Sequence, residues 1–107
     1  DIYFWSAWDG DRLMGTGALK RLSASEGEVK SMHTLQTARR SGVGSAMLER
    51  IMAEAKTMGL TRLYLETGSF AFFAPARALY ARHGFTECAP FVGYKPDANS
   101  TFMMKDI

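Results

Sequence analysis

Between residues 39 and 45 the chain reads Arg-Arg-Ser-Gly-Val-Gly-Ser, and the hydrophobic period differs on its two sides. Before it, Glu28-Val-Lys-Ser-Met-His-Thr-Leu35 alternates and reads as a strand, with Glu28, Lys30, Met32 and Thr34 expected on one face. After it, Val43, Met47, Ile51 and Ala55 recur every four residues, Leu48 and Met58 widen the stripe, and Glu49, Arg50, Glu54 and Lys56 fall outside it. This pattern predicts an amphipathic helix over Gly42–Met58, stopped by Gly59. Gly42 and Gly44 thus sit at a strand-to-helix turn. There the missing Cβ atoms admit a ligand to the backbone, the first-turn N–H groups lack intrahelical partners, and Arg39 and Arg40 add positive potential. Such a turn is a cradle for phosphate. Its spacing is neither G-x-G-x-x-G nor the Walker G-x-x-x-x-G-K-S/T, so the signatures of dinucleotide and nucleoside-triphosphate sites are lacking.

The other elements follow from similar local signals. Two β-prone runs, Tyr3–Trp8 and Asp11–Leu19, flank Asp9-Gly10 and predict a hairpin. Leu60–Thr67 reads as a buried strand ended by Gly68-Ser69, and strand, helix, strand implies a right-handed βαβ crossover. Pro75 suits the first turn of a short helix that Gly84 stops, and Phe85–Cys88 and Thr101–Asp106 read as the last two strands. The 107 residues, 47% hydrophobic, are enough for one domain and one core. The formal charge of +2, with no basic block longer than Arg39-Arg40, does not suit nucleic acid or a membrane surface. A single cysteine, Cys88, forms no internal disulfide, and neither histidine has partners at metal-ligand spacing, so no metal is expected. These features, without a leader or a long apolar run, fit a cytoplasmic protein.

With these residues in view, Arg39-x-x-Gly42-x-Gly44 resembles the acetyl-coenzyme A loop of the GCN5-related N-acetyltransferase (GNAT) superfamily. Leu63–Gly68 and Ala76-x-x-Leu79-Tyr80-x-x-x-Gly84-Phe85 fall in that family's order, so the resemblance covers essentially the whole chain. Gly27–Met32, Leu65–Gly68, Pro75–Arg77 and Asn99-Ser-x-Phe-Met-x-Lys105 also resemble a group of bacterial acetyltransferases. The resemblance implies a mixed α/β fold, with a mostly antiparallel twisted sheet and one βαβ crossover. It further implies that the chain starts after the family's first strand and helices, so the fold is N-terminally incomplete, and that exposed sheet edge favours a homodimer.

The implied chemistry is transfer of acetyl from acetyl-coenzyme A, as cosubstrate, to a primary amine of a small molecule. The alternative is a non-catalytic acetyl-coenzyme A-binding or regulatory module. By resemblance, Met32, His33 and Thr34 hold the pantetheine arm through their backbone, and Arg39, Arg40, Ser41, Gly42, Val43, Gly44 and Ser45 take the pyrophosphate. Tyr80 falls where the family places the donor of a proton to the leaving thiolate, and an ordinary phenol is protonated at neutral pH. Glu28 falls where some histone-modifying members carry the general base. Glu66 is the second carboxylate considered for orienting the amine or a water. The readings set beside these roles are a core aromatic for Tyr80, an ordinary surface pair for Glu28 and Lys30, and a structural acceptor for Glu66. Cys88 reads as a small core residue rather than a nucleophile. Phe73 stands where many members carry an asparagine that bonds the pantetheine arm.

Overall fold

The computed structural model describes residues 1–35 and 42–107. The elements in chain order are β1 (Ile2–Asp9), β2 (Arg12–Arg21), β3 (Glu26–Thr34), α1 (Val43–Thr57), β4 (Arg62–Gly68), a 3₁₀ turn (Ala71–Phe73), α2 (Ala74–Arg82), β5 (Thr86–Cys88) and β6 (Ser100–Asp106). The six strands form one sheet in the order β1-β2-β3-β4-β6-β5. Among the described residues, only β3 and β4 pair in parallel, joined through α1 as the change of period predicts. Every other pair is antiparallel.

The apolar stripe of α1 buries Met47, Leu48, Ile51 and Ala55 against Leu19 of β2, Val29 of β3 and Leu63 and Leu65 of β4. The helix approaches β2 closely because Gly17 has no side chain: a Cβ there would lie 2.8 Å from both Met47 and Ile51. β1 is the outer strand. Its Phe4 and Trp8 remain 69% and 58% exposed, whereas Trp5 and Ala7 pack toward the core.

Two features of β3 shape the region around its C-terminal end. Pairing with β4 runs from Glu26↔Arg62 to Val29↔Leu65 and then stops, although β3 continues to Thr34 and β4 to Gly68. The strands therefore part beyond Val29. At the same level the register with β2 slips, from Ala18↔Lys30 to Thr16↔His33. Ser31 sits there with φ 54°, and its carbonyl accepts a hydrogen bond from Thr16 Oγ1 at 3.0 Å. This is a β-bulge, which re-aims the residues after it.

The bulge corrects one sequence expectation. Glu28, Lys30, Met32 and Thr34 do not share a face: Met32 packs on the α1 side beside Gly17, and Thr34 approaches Gly44, while Glu28 points to the opposite side. Strict alternation fails because the inserted residue shifts the phase by one.

Candidate active site

Two cavities flank the parting of β3 and β4. The first, of about 570 Å³, runs along the end of β3 and the start of α1, bordered by His33, Thr34, Gly42, Gly44 and Ser45. Gly42, at φ 85°, caps α1 in the left-handed region that glycine tolerates, with no side-chain cap. Gly44 meets a different demand, since a Cβ would lie 3.2 Å from Leu79 of α2. Among the described residues, no side chain caps the first-turn N–H groups of this fifteen-residue helix, which lie beside the groove. Beyond Val29 the β4-facing edge of β3 has left the ladder, so its backbone groups are available to an extended ligand. These features fit a pyrophosphate and an amide-bearing arm.

Of the residues expected to hold the coenzyme, Met32, His33, Thr34, Gly42, Gly44 and Ser45 border this groove. Val43 does not, because its side chain packs toward Gly15. Arg39, Arg40 and Ser41 lie outside the described residues. Ser45 Oγ lies 2.9 Å from Nε2 of His83, the residue capping α2, which ties the start of α1 to the end of α2.

The second cavity, of about 350 Å³, lies between the parted strands, with Lys30 and Ser31 on one lip and Glu66, Thr67 and Gly68 on the other. Glu66 is exposed and accepts a hydrogen bond from Ser100 Oγ at 2.6 Å. Tyr80 comes from α2, buried to 7% exposure and edge-on to Phe85. Burial pushes its phenol up to about 12, because the charged form loses its hydration. Tyr80 is thus both a core aromatic and a residue of this cleft, and it keeps its proton at any ordinary pH.

Glu28 is 3% exposed and does not border the cleft. It is not a solvated surface pair either. Tyr94 donates to its Oε2 at 2.6 Å, and Lys30 Nζ stands 3.8 Å away. Tyr94, Phe91, Phe102 and Tyr64 form a packed aromatic group on this side of the sheet. The Tyr94 phenol is raised above its ordinary value, first by the hydrogen bond to Glu28 and then by burial. No local sequence signal marks this contact, since Tyr94 and Glu28 lie 66 positions apart.

Cys88 is a free, partly buried thiol whose pKa burial raises, which suits a packing residue. Among the described residues, no group of three or more His, Cys, Asp or Glu side chains could hold a metal, and no helix is long and apolar enough to cross a membrane.

The decisive geometric feature is that the two cavities meet. Met32, Phe73, Ala76 and Tyr80 border both. A group held in the groove and a group held in the cleft would face each other there.

Comparison with known proteins agrees with this architecture. A model of the acetyltransferase (GNAT) family matches residues 1–85. The chain is 51% identical over 107 residues to YsnE of Bacillus subtilis (strain 168), named as an uncharacterized N-acetyltransferase; the match covers all of this chain and 71% of that protein. It is 45% identical over 102 residues to YedL of Escherichia coli (strain K12), named likewise, covering 95% of this chain and 64% of that protein. Among solved structures, an acetyltransferase from Streptococcus agalactiae superposes with a TM-score of 0.87 at 25% identity, over 99% of this chain and 67% of that one.

Proposed function

The chain belongs to the GNAT family of acetyltransferases, and from that premise we propose that it transfers the acetyl group of acetyl-coenzyme A directly to a primary amine of a small molecule. The observation that carries this reading is the meeting of the two cavities at Tyr80. The groove suits the coenzyme, whose thioester supplies the acetyl group, and the cleft suits a compact acceptor. Burial pushes the pKa of Tyr80 up to about 12, so this residue carries its proton throughout the working range.

In the proposed step the neutral amine nitrogen attacks the thioester carbonyl carbon. A C–N bond forms, the C–S bond breaks, and the departing thiolate takes the proton of Tyr80. The amine's surplus proton passes to a carboxylate. Glu66 is favoured for this, because it borders the cleft and Ser100 occupies only one of its oxygens. Glu28 would act only through a water, since its carboxylate is buried behind Tyr94 and Lys30.

The test is Tyr80→Phe, assayed against a panel of primary amines. The expected result is a turnover lowered by roughly 100-fold or more with coenzyme affinity spared. An unchanged rate would remove Tyr80 from the reaction. Absence of acetyl transfer to every amine by the wild-type full-length protein would remove the reading itself.

A further inference from the structure

The residues common to the groove and the cleft differ in how freely they can move. Met32 is flexible, Ala76 is small, and Tyr80 carries the hydroxyl. Phe73 is a ring held from behind. It packs directly on Gly68, so closely that a Cβ added at Gly68 would overlap it. The turn that carries the ring is clamped as well. Arg77 Nη1 donates to the carbonyls of Gly68 at 2.6 Å and Phe70 at 3.0 Å, and the hydroxyls of Ser69 and Thr101 lie 2.7 Å apart. Phe72 meets Phe73 edge-on, with ring centroids 5.1 Å apart. Phe73 is 37% exposed and Phe72 73%, so the ring is open to solvent on one side and backed on the Gly68 side, toward which it cannot retreat without breaking packing.

A thioester held in the groove and attacked from the cleft places its acyl group at the junction, between Phe73 and Tyr80. We propose that Phe73, backed by Gly68, sets the length of the acyl group that the protein transfers, admitting acetyl and excluding longer chains. This rests on the placement of donor and acceptor given above. The glycine is part of the device. Gly68 has no positive φ, so conformation does not require it, and the space behind the ring does.

The experiment compares acetyl-, propionyl- and butyryl-coenzyme A with one accepted amine, using the full-length protein, its Phe73→Ala and Phe73→Leu variants, and Gly68→Ala. The readout is the ratio of kcat/KM values between thioesters, which cancels a general loss of activity, with thermal unfolding recorded for each variant. The wild type is expected to lose about tenfold per added methylene, as a close-fitting pocket does. Phe73→Ala is expected to lower the acetyl-to-butyryl ratio by about tenfold or more, with Phe73→Leu between. Gly68→Ala, which pushes the ring into the junction, is expected to raise that ratio. If Phe73→Ala does not fold, Phe73→Leu alone decides the matter. A wild type that transfers butyryl as readily as acetyl, or a ratio indifferent to every folded Phe73 variant, would overturn the inference and leave acetyl transfer standing. Failure of the wild type to transfer any acyl group would overturn both.

Discussion

The two cavities that meet at Tyr80 are built by different means. The phosphate-suited wall of the groove is made of backbone, from a left-handed glycine, a helix start without a side-chain cap and a strand edge that has left its ladder, while α2 residues such as Leu79 and Arg82 line the other wall. The cleft is made of side chains brought from β3, β4, the 3₁₀ turn, α2 and β6, with Lys30, Glu66, Phe73, Tyr80 and Ser100 around one space. A site made of backbone tolerates few changes at its glycines and many elsewhere. A site made of side chains can be altered residue by residue.

That contrast is broken first at the groove. Gly44→Val puts methyls where even a Cβ lies 3.2 Å from Leu79, at the border of the groove. Acetyl-coenzyme A at about 100 times its dissociation constant stabilises a protein by about 2.7 kcal/mol. The variant is expected to lose this stabilisation in thermal unfolding, whereas Glu66→Gln in the cleft keeps it. Retention of the full shift by Gly44→Val would show that close backbone approach at Gly44 does not hold the coenzyme.

The junction is probed next, by pH. The folded-state pKa of Tyr80 is raised from 10.0 to about 12, so its contribution to stability is fully present below pH 10 and lost as pH rises through about 12. Denaturant unfolding is expected to show a loss of about 2–3 kcal/mol over that window, smaller in Tyr80→Phe. An identical alkaline loss in the variant would assign it to other groups.

On the cleft side, Tyr94→Phe keeps the aromatic packing and deletes the hydroxyl that Glu28 accepts. Leaving a buried carboxylate short of one donor is expected to cost about 2 kcal/mol, read by chemical denaturation. No loss would mean that Lys30 alone satisfies Glu28. Arg50→Ala, outside both cavities, removes an exposed pair with Glu54 at 3.5 Å, and is expected to cost no more than about 0.5 kcal/mol while leaving coenzyme affinity unchanged. A larger effect would show that the helix surface is coupled to the groove.

Legibility in the sequence follows the same division. The groove was legible because its parts are contiguous: the change of period at Gly42 places the glycines on a strand-to-helix turn, and the turn's chemistry is that of its own backbone. The helix that carries Tyr80 was legible from Pro75 and Gly84, and α2 brings that residue to the border of the cleft. Glu28 was legible as a candidate but not as a buried residue, since its cover comes from Tyr94, beyond β5. The faces of Met32 and Thr34 were misread because a bulge at a serine leaves no mark in hydrophobic alternation.

By itself, then, the sequence determined the order and type of the elements, the crossover around α1 and the phosphate-suited turn, because each arises from periodicity, capping and glycine freedom within a few residues. Only the tertiary structure decided where β3 and β4 part, which carboxylate the opening exposes, and that Phe73 stands on Gly68 at the junction. Those outcomes depend on strand register and on side chains converging from distant positions, and register is a property of the assembled sheet.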